Sequence, residues 1–163
     1  MSMALKDPTM VVSMPFTCVV LMPFSAESAD TFVSVSEALE PLGVATLRLG
    51  GAIEIQTATS IERRFSKGAE FWHITEADLV IADITGSDPN VMYEIGIAHA
   101  LRKPTLLIGR RNADPEVHQF IPHDLREFIV FWYDSSDLEQ LVNFVAVWAR
   151  NYLLRATEAL AGD

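Results

Sequence analysis

The chain has a single cysteine, Cys18, among its 163 residues. One thiol can build neither a disulfide framework nor a cysteine metal site, so stability has to come from a packed core. Cys18 stands in the apolar run 17–22 and reads as a small buried hydrophobe. Basic residues are scarce too: twelve Lys and Arg face twenty-two Asp and Glu, for a formal net charge of -10. That balance argues against nucleic acid and against an anionic membrane surface as partners. A small anionic ligand stays open, because local arginines and helix N-termini override a global charge. Long apolar runs are also missing. Pro15 and Pro23 interrupt the hydrophobic N-terminal stretch, and nowhere do the ~18 apolar residues of a bilayer span follow one another. The N-terminus lacks the basic, apolar and small-residue order of a secretory signal, so the expected location is cytoplasmic. The four histidines, His73, His99, His118 and His123, have no metal-ligand spacing, and no metal centre is expected.

What the chain does have is hydrophobic residues, which make up 50% of it, enough for a real core. Residues 1–16 are expected to form a flexible N-terminal extension and 17–163 a single domain. Short continuous apolar runs at 17–22, 44–49, 78–84, 104–109 and 128–133 predict strands buried on both faces. Between them the spacing turns helical. Phe32, Val35, Leu39 and Leu42 predict a helix over 29–42, and similar patterns cover 57–75, 90–101 and 138–160. Strands alternating with helices predict an α/β fold, a flavodoxin-like doubly wound parallel sheet of five strands in the order 2-1-3-4-5 with helices on both faces. Ligands of such sheets bind at the carboxyl ends of strands 1 and 3, where the winding reverses.

Those two strand ends carry the most unusual residues. Asp88-Pro89-Asn90 reads as a helix start, with Asp88 or Asn90 as the cap and Pro89 suited to the first helical position if Asp88 is the cap. Glu94 then falls in the first or second turn, where the helix dipole favours the ionised carboxylate by ~0.3–1 kcal/mol. The plain reading of Glu94 is an acidic residue of the kind common near helix starts. Across the crevice, Met22 and Phe24 could bracket a flat ring or merely plug the sheet, and Ser25 offers a hydrogen bond. Tyr93 suits either core or ligand contact. Gly86 reads as a turn and Gly96 as a close helix–sheet approach. His99, about 140° around the helix from Glu94, should face elsewhere. Arg110 and Arg111 suit a phosphate or a solvated pair.

The segments LMPFS (21–25), ADLVIADITGSDPNVMYEIGIAHALRKPTLLI (77–108) and IPHDLREFIVFWY (121–133) resemble the nucleoside 2-deoxyribosyltransferase-like superfamily. That group is related in fold and chemistry to the Toll/interleukin-1 receptor domains that cleave NAD. The resemblance covers about residues 17–145, and DITGSDPNVMYEIGIAHAL is its most specific part. It implies that Glu94 attacks or stabilises C1′ of a ribosyl group. Asp88, six positions earlier, would contact the base or sugar, and Asp83 would bind sugar hydroxyls or orient its neighbours. Met22, Phe24, Ser25, Asn90, Tyr93 and Arg48 complete the implied substrate-binding set. A fixed carboxylate suits this chemistry, because breaking an N-glycosidic bond builds positive charge at C1′. The resemblance further implies no cofactor, a nucleoside or nucleotide as small-molecule partner, and a homo-oligomer, with Phe144, Trp148, Tyr152 and Leu153 of the last helix offering apolar surface. Two positions depart from the pattern. Related sequences often carry an acid soon after the Arg that ends strand 2, whereas Arg48 is followed by Leu-Gly-Gly with no acid before Glu54; and His123 stands where an aromatic is frequent. The expected function is cleavage or transfer of an N-glycosidic bond. The alternative is a non-catalytic nucleotide-sensing module of the same fold, and a weaker third reading is a self-assembling interaction domain.

Overall fold

The computed structural model describes residues 16–23, 25–49, 69–111, 125 and 128–161. Five strands, β1 (Phe16–Leu21), β2 (Val44–Leu49), β3 (Leu79–Asp83), β4 (Thr105–Arg110) and β5 (Val130–Tyr133), form one sheet in the order β2-β1-β3-β4-β5. Every neighbouring pair is parallel. This is the doubly wound, flavodoxin-like α/β arrangement expected from the alternation of apolar runs and helical spacings. The winding leaves β1 toward β2 on one side and returns to β3 on the other, so the switch point lies between the ends of β1 and β3.

Among the described residues four α-helices flank the sheet: α1 (Ala26–Leu39), α2 (Ala69–Glu76), α3 (Pro89–Ala100) and α4 (Leu138–Ala161). Side chains alternate across each strand, so one run of residues feeds two cores. Cys18, Val20, Met22, Leu79, Ile81 and Ile108 pack with Val35 and Leu39 of α1 and with Leu141, Val145 and Ala149 of α4. On the other face Val19, Leu21, Val80, Ala82 and Leu107 pack with Ile74 of α2 and with Val91, Ile95 and Ala98 of α3. Double-sided burial is why the strands read as unbroken apolar runs. Cys18 is fully buried, and desolvation pushes its thiol up to about 12, the inert hydrophobe its surroundings predict.

Element boundaries differ from the apolar pattern where polar caps decide them. Helix α1 begins at Ala26 rather than 29, because the Ser25 hydroxyl oxygen accepts the Ser28 amide at 3.1 Å and opens the helix within a polar stretch. It ends at Leu39, and Glu40–Leu42, with Pro41, continues as a 3-10 turn. Strand β1 starts one residue before the expected position, at Phe16. Of the helix expected over 57–75, residues 57–68 lie outside the described residues, as does most of the expected N-terminal extension. No helix among the described residues is long and apolar enough to cross a membrane.

Candidate active site

The loop from β3 to α3 is held by its own backbone and by its first acidic side chain. Asp83, the last residue of β3, accepts the Thr85 amide on Oδ1 at 2.9 Å. The Thr85 hydroxyl accepts the Arg110 amide at 2.8 Å, and the Ile84 amide donates to the Ile108 carbonyl at 2.9 Å. These bonds pin the loop to the end of β4. Gly86 and Ser87 follow with φ of 76° and 50°. Left-handed backbone is free for glycine and costly for serine, and it turns the chain sharply into α3. Gly86 is therefore the turn glycine that the sequence suggests.

Asp88 is the cap. Its Oδ1 accepts the amides of Asn90 at 2.8 Å and Val91 at 3.3 Å, and Pro89 takes the first helical position. Of the two capping choices open at the sequence level, Asn90 is thereby set aside, and its side chain stands exposed in the first turn. At least one oxygen of Asp88 is thus committed to backbone donors at the helix start.

Glu94 is only 4% exposed. The buried residues of α3 are Val91, Glu94, Ile95 and Ala98, a single stripe at spacings of three and four. Three of the four belong to the core beneath the helix. Glu94 thus occupies the packed face of α3, not its solvent face. It is the sixth helical residue, in the second turn. The dipole acts mainly within the first turn, so burial and not the dipole sets the surroundings of Glu94.

The second buried carboxylate lies elsewhere. Asp83 is 1% exposed and points, like Leu79 and Ile81, to the α1/α4 face, opposite the layer that holds Glu94. Its Oδ2 accepts the Tyr133 hydroxyl at 3.0 Å, and that hydroxyl meets Thr31 Oγ1 of α1 at 3.0 Å. Burial raises the Asp83 carboxyl above its ordinary 3.8, opposed by its bonds to Thr85 and Tyr133 and by the Arg110 charge. The same burial, with the Asp83 charge beside it, pushes the Tyr133 phenol up to about 12. Both Asp83 oxygens thus accept from groups of the protein itself, the Thr85 amide and the Tyr133 hydroxyl. Thr31 and Tyr133 were not singled out from the sequence. The available signal was polar residues, Ser28 and Thr31, on the side of α1 that turns inward.

The remaining expected contacts separate. Met22 is fully buried in the α1/α4 core, so its side chain packs the sheet end rather than lining an open crevice. Ser25 is exposed and caps α1, with its hydroxyl 2.7 Å from that of Ser28. Arg48, at the end of β2, donates from Nη2 to the Pro23 carbonyl at 3.2 Å and so ties β2 to the loop after β1. Tyr93 is 73% exposed, which overturns the core alternative. Phe24, Glu54 and His123 lie outside the described residues. Gly96 is corrected: it faces outward and a Cβ there would meet nothing within 4 Å, so no close helix–sheet approach requires it. His99 is turned aside as expected and stacks on Phe128, with ring centroids 4.6 Å apart. Arg111 is exposed and donates to the Trp132 carbonyl at 3.2 Å. Among the described residues no group of three or more His, Cys, Asp or Glu side chains could hold a metal ion.

No protein-family description matches this chain, and no curated protein does. Solved structures do. A 2-deoxyribosyltransferase from the psychrotolerant bacterium Bacillus psychrosaccharolyticus aligns over 74% of this chain and 90% of its own, at 18% identity and a TM-score of 0.49. A protein described as a pilus assembly protein from Burkholderia thailandensis aligns over 81% of this chain and 98% of its own, at 14% identity and a TM-score of 0.38.

Proposed function

We propose that this chain cleaves or transfers the N-glycosidic bond of a nucleoside, nucleotide or NAD-like substrate, with Glu94 as the reacting carboxylate. The observation that carries this reading is the burial of Glu94 within the apolar stripe of the helix that starts at the switch point. Acidic side chains are rarely buried in such a stripe, and ionisable groups held out of water cluster at functional sites. The resemblance of residues 77–108 to the deoxyribosyltransferase-like superfamily supports the same residue in the same role.

In this mechanism the C1′–N bond breaks and the base leaves with its electron pair, taking a proton from water unless it departs from a cationic nitrogen and is already neutral. Positive charge develops at C1′ and O4′, and the Glu94 carboxylate either stabilises it or closes on C1′ as an ester. Water then releases the sugar, or a second base accepts it. Asp88 fixes the start of α3 through one oxygen, and its role in this reading is to assist departure of the base as the second carboxylate. The sensing alternative draws on two observations: Asp88 is engaged as a cap, and no acid follows Arg48 before Glu54.

The test is release of free base from a panel of nucleosides, nucleotides and NAD, followed by chromatography. Release by the wild type, lost by 10²-fold or more in Glu94→Gln with an unchanged circular dichroism spectrum, is the expected result. Saturable binding without release makes the chain a sensor. Release that survives Glu94→Gln removes this residue from the mechanism.

A further inference from the structure

Two parts of the chain far apart in sequence flank the switch point and would wall the crevice that such folds form there. One is the loop after β1 with the first turns of α1. The other is the loop after β3 with the first turns of α3. Tyr133, at the end of β5, touches both. Its ring is fully buried in the α1/α4 core, and its hydroxyl lies 3.0 Å from Thr31 Oγ1 and 3.0 Å from Asp83 Oδ2. Thr31 stands in the second turn of α1, the helix that Ser25 caps. Asp83 in turn holds the Thr85 amide at the root of the loop that ends in Asp88 and α3. All three side chains are buried, so water does not compete for these bonds and their geometry is held.

We infer that the Tyr133 hydroxyl is a positioning group that couples the two walls of the crevice, through Thr31 on one side and through Asp83 and Thr85 on the other. It acts at a distance from Glu94, which lies in the opposite layer. Glu94 rides on α3, and the start of α3 is set by the loop that Asp83 anchors. The consequence for catalysis rests on the glycosyl-transfer reading above; the coupling of the walls does not. The charged or titratable groups that bear on Asp83 are Tyr133 from β5 and Arg110 from β4, with the Thr85 hydroxyl and amide from the loop.

Tyr133→Phe removes one oxygen and keeps the ring. Amide hydrogen exchange on the full chain is the first measurement. Faster exchange is expected both at 84–91 and at 25–31, with the C-terminal half of α4 unchanged. Exchange that rises at neither wall, or only around β5, overturns the inference. Base release is the second measurement, and kcat is expected to fall about tenfold with KM within about twofold, as for a group that aligns the reacting carboxylate without touching substrate. The third is Tyr133→Phe with Thr31→Val, which replaces both hydroxyl partners with apolar groups. It should recover part of the urea midpoint lost by the single variant, since Asp83 Oδ2 still lacks its donor, but not its kcat. Recovery of both, or a kcat unchanged by Tyr133→Phe, assigns the hydroxyl a structural role only and overturns the catalytic consequence. If the wild type releases no base from any substrate, the glycosyl-transfer reading fails, and exchange at the two walls still decides the coupling.

Discussion

At the scale of single residues, two glycines make opposite demands on a Cβ. Gly109, in β4, lies opposite Trp132 of β5, and a Cβ there would come within 2.5 Å of the indole ring. The ring is rigid, so it or the strand has to move. Gly109→Ala is expected to destabilise the fold by ~1–3 kcal/mol, read as a lower urea midpoint, with a shift of Trp132 fluorescence. Gly96, on the outer face of α3, meets nothing, and Gly96→Ala should add ~0.5–1 kcal/mol by lowering the entropy of the unfolded chain. If Gly96→Ala proves as damaging as Gly109→Ala, the outward placement of Gly96 is wrong. Composition and spacing could not tell these two glycines apart. Each directly follows an isoleucine in a packed element, and the cross-strand contact with Trp132 is what makes Gly109 intolerant of a Cβ.

At the scale of elements, caps decide where helices begin. Asp88 satisfies two of the free amides of α3, and its replacement by alanine should cost ~0.5–2 kcal/mol of stability. Asp88→Asn keeps an acceptor oxygen and should retain most of that stability. The pair separates structure from chemistry. A loss of base release in Asp88→Asn at near-normal unfolding midpoint assigns the carboxylate a chemical role beyond the cap. Activity lost only in Asp88→Ala, in step with stability, leaves it a cap alone. At the opposite ends of α2 and α3, Lys103 closes the junction by donating from Nζ to the carbonyls of Thr75 and Ala77, a cation placed where a helix ends.

At the scale of the molecule, the two buried carboxylates lie in opposite layers, Asp83 toward α1 and α4 and Glu94 on the packed face of α3. Asp83 titrates above its ordinary value because burial disfavours its charge. For such a group the native state binds the proton more tightly than the unfolded chain. Its stabilising contribution is complete below about 3.8 and is lost as pH rises through the raised native value. Urea unfolding between pH 4 and 8 should therefore show the wild type losing stability relative to Asp83→Asn as pH rises. A difference that stays flat across that range would acquit Asp83. The other charges of the chain are the same in both proteins, so their contribution largely cancels in the comparison.

Much of the architecture was legible in the chain itself, since a strand buried on both faces must be apolar throughout and a helix against a sheet must repeat its apolar residues every three to four positions. The strand order, the location of the switch point and the placing of Glu94 near the start of a helix beside it all follow from that patterning, together with the turn and cap chemistry of Gly86, Asp88 and Pro89. Patterning is blind to rotation about a helix axis when most of the helix is apolar, as in α3. Tertiary packing alone decided that Glu94 shares a stripe with Val91, Ile95 and Ala98 while Tyr93 faces out. It also decided that Met22 belongs to the core and that Asp83 turns to the other layer. The Thr31–Tyr133–Asp83 network was beyond reach for the same reason. Its members are 52 and 50 positions apart along the chain, and only the folded sheet brings their oxygens within 3.0 Å.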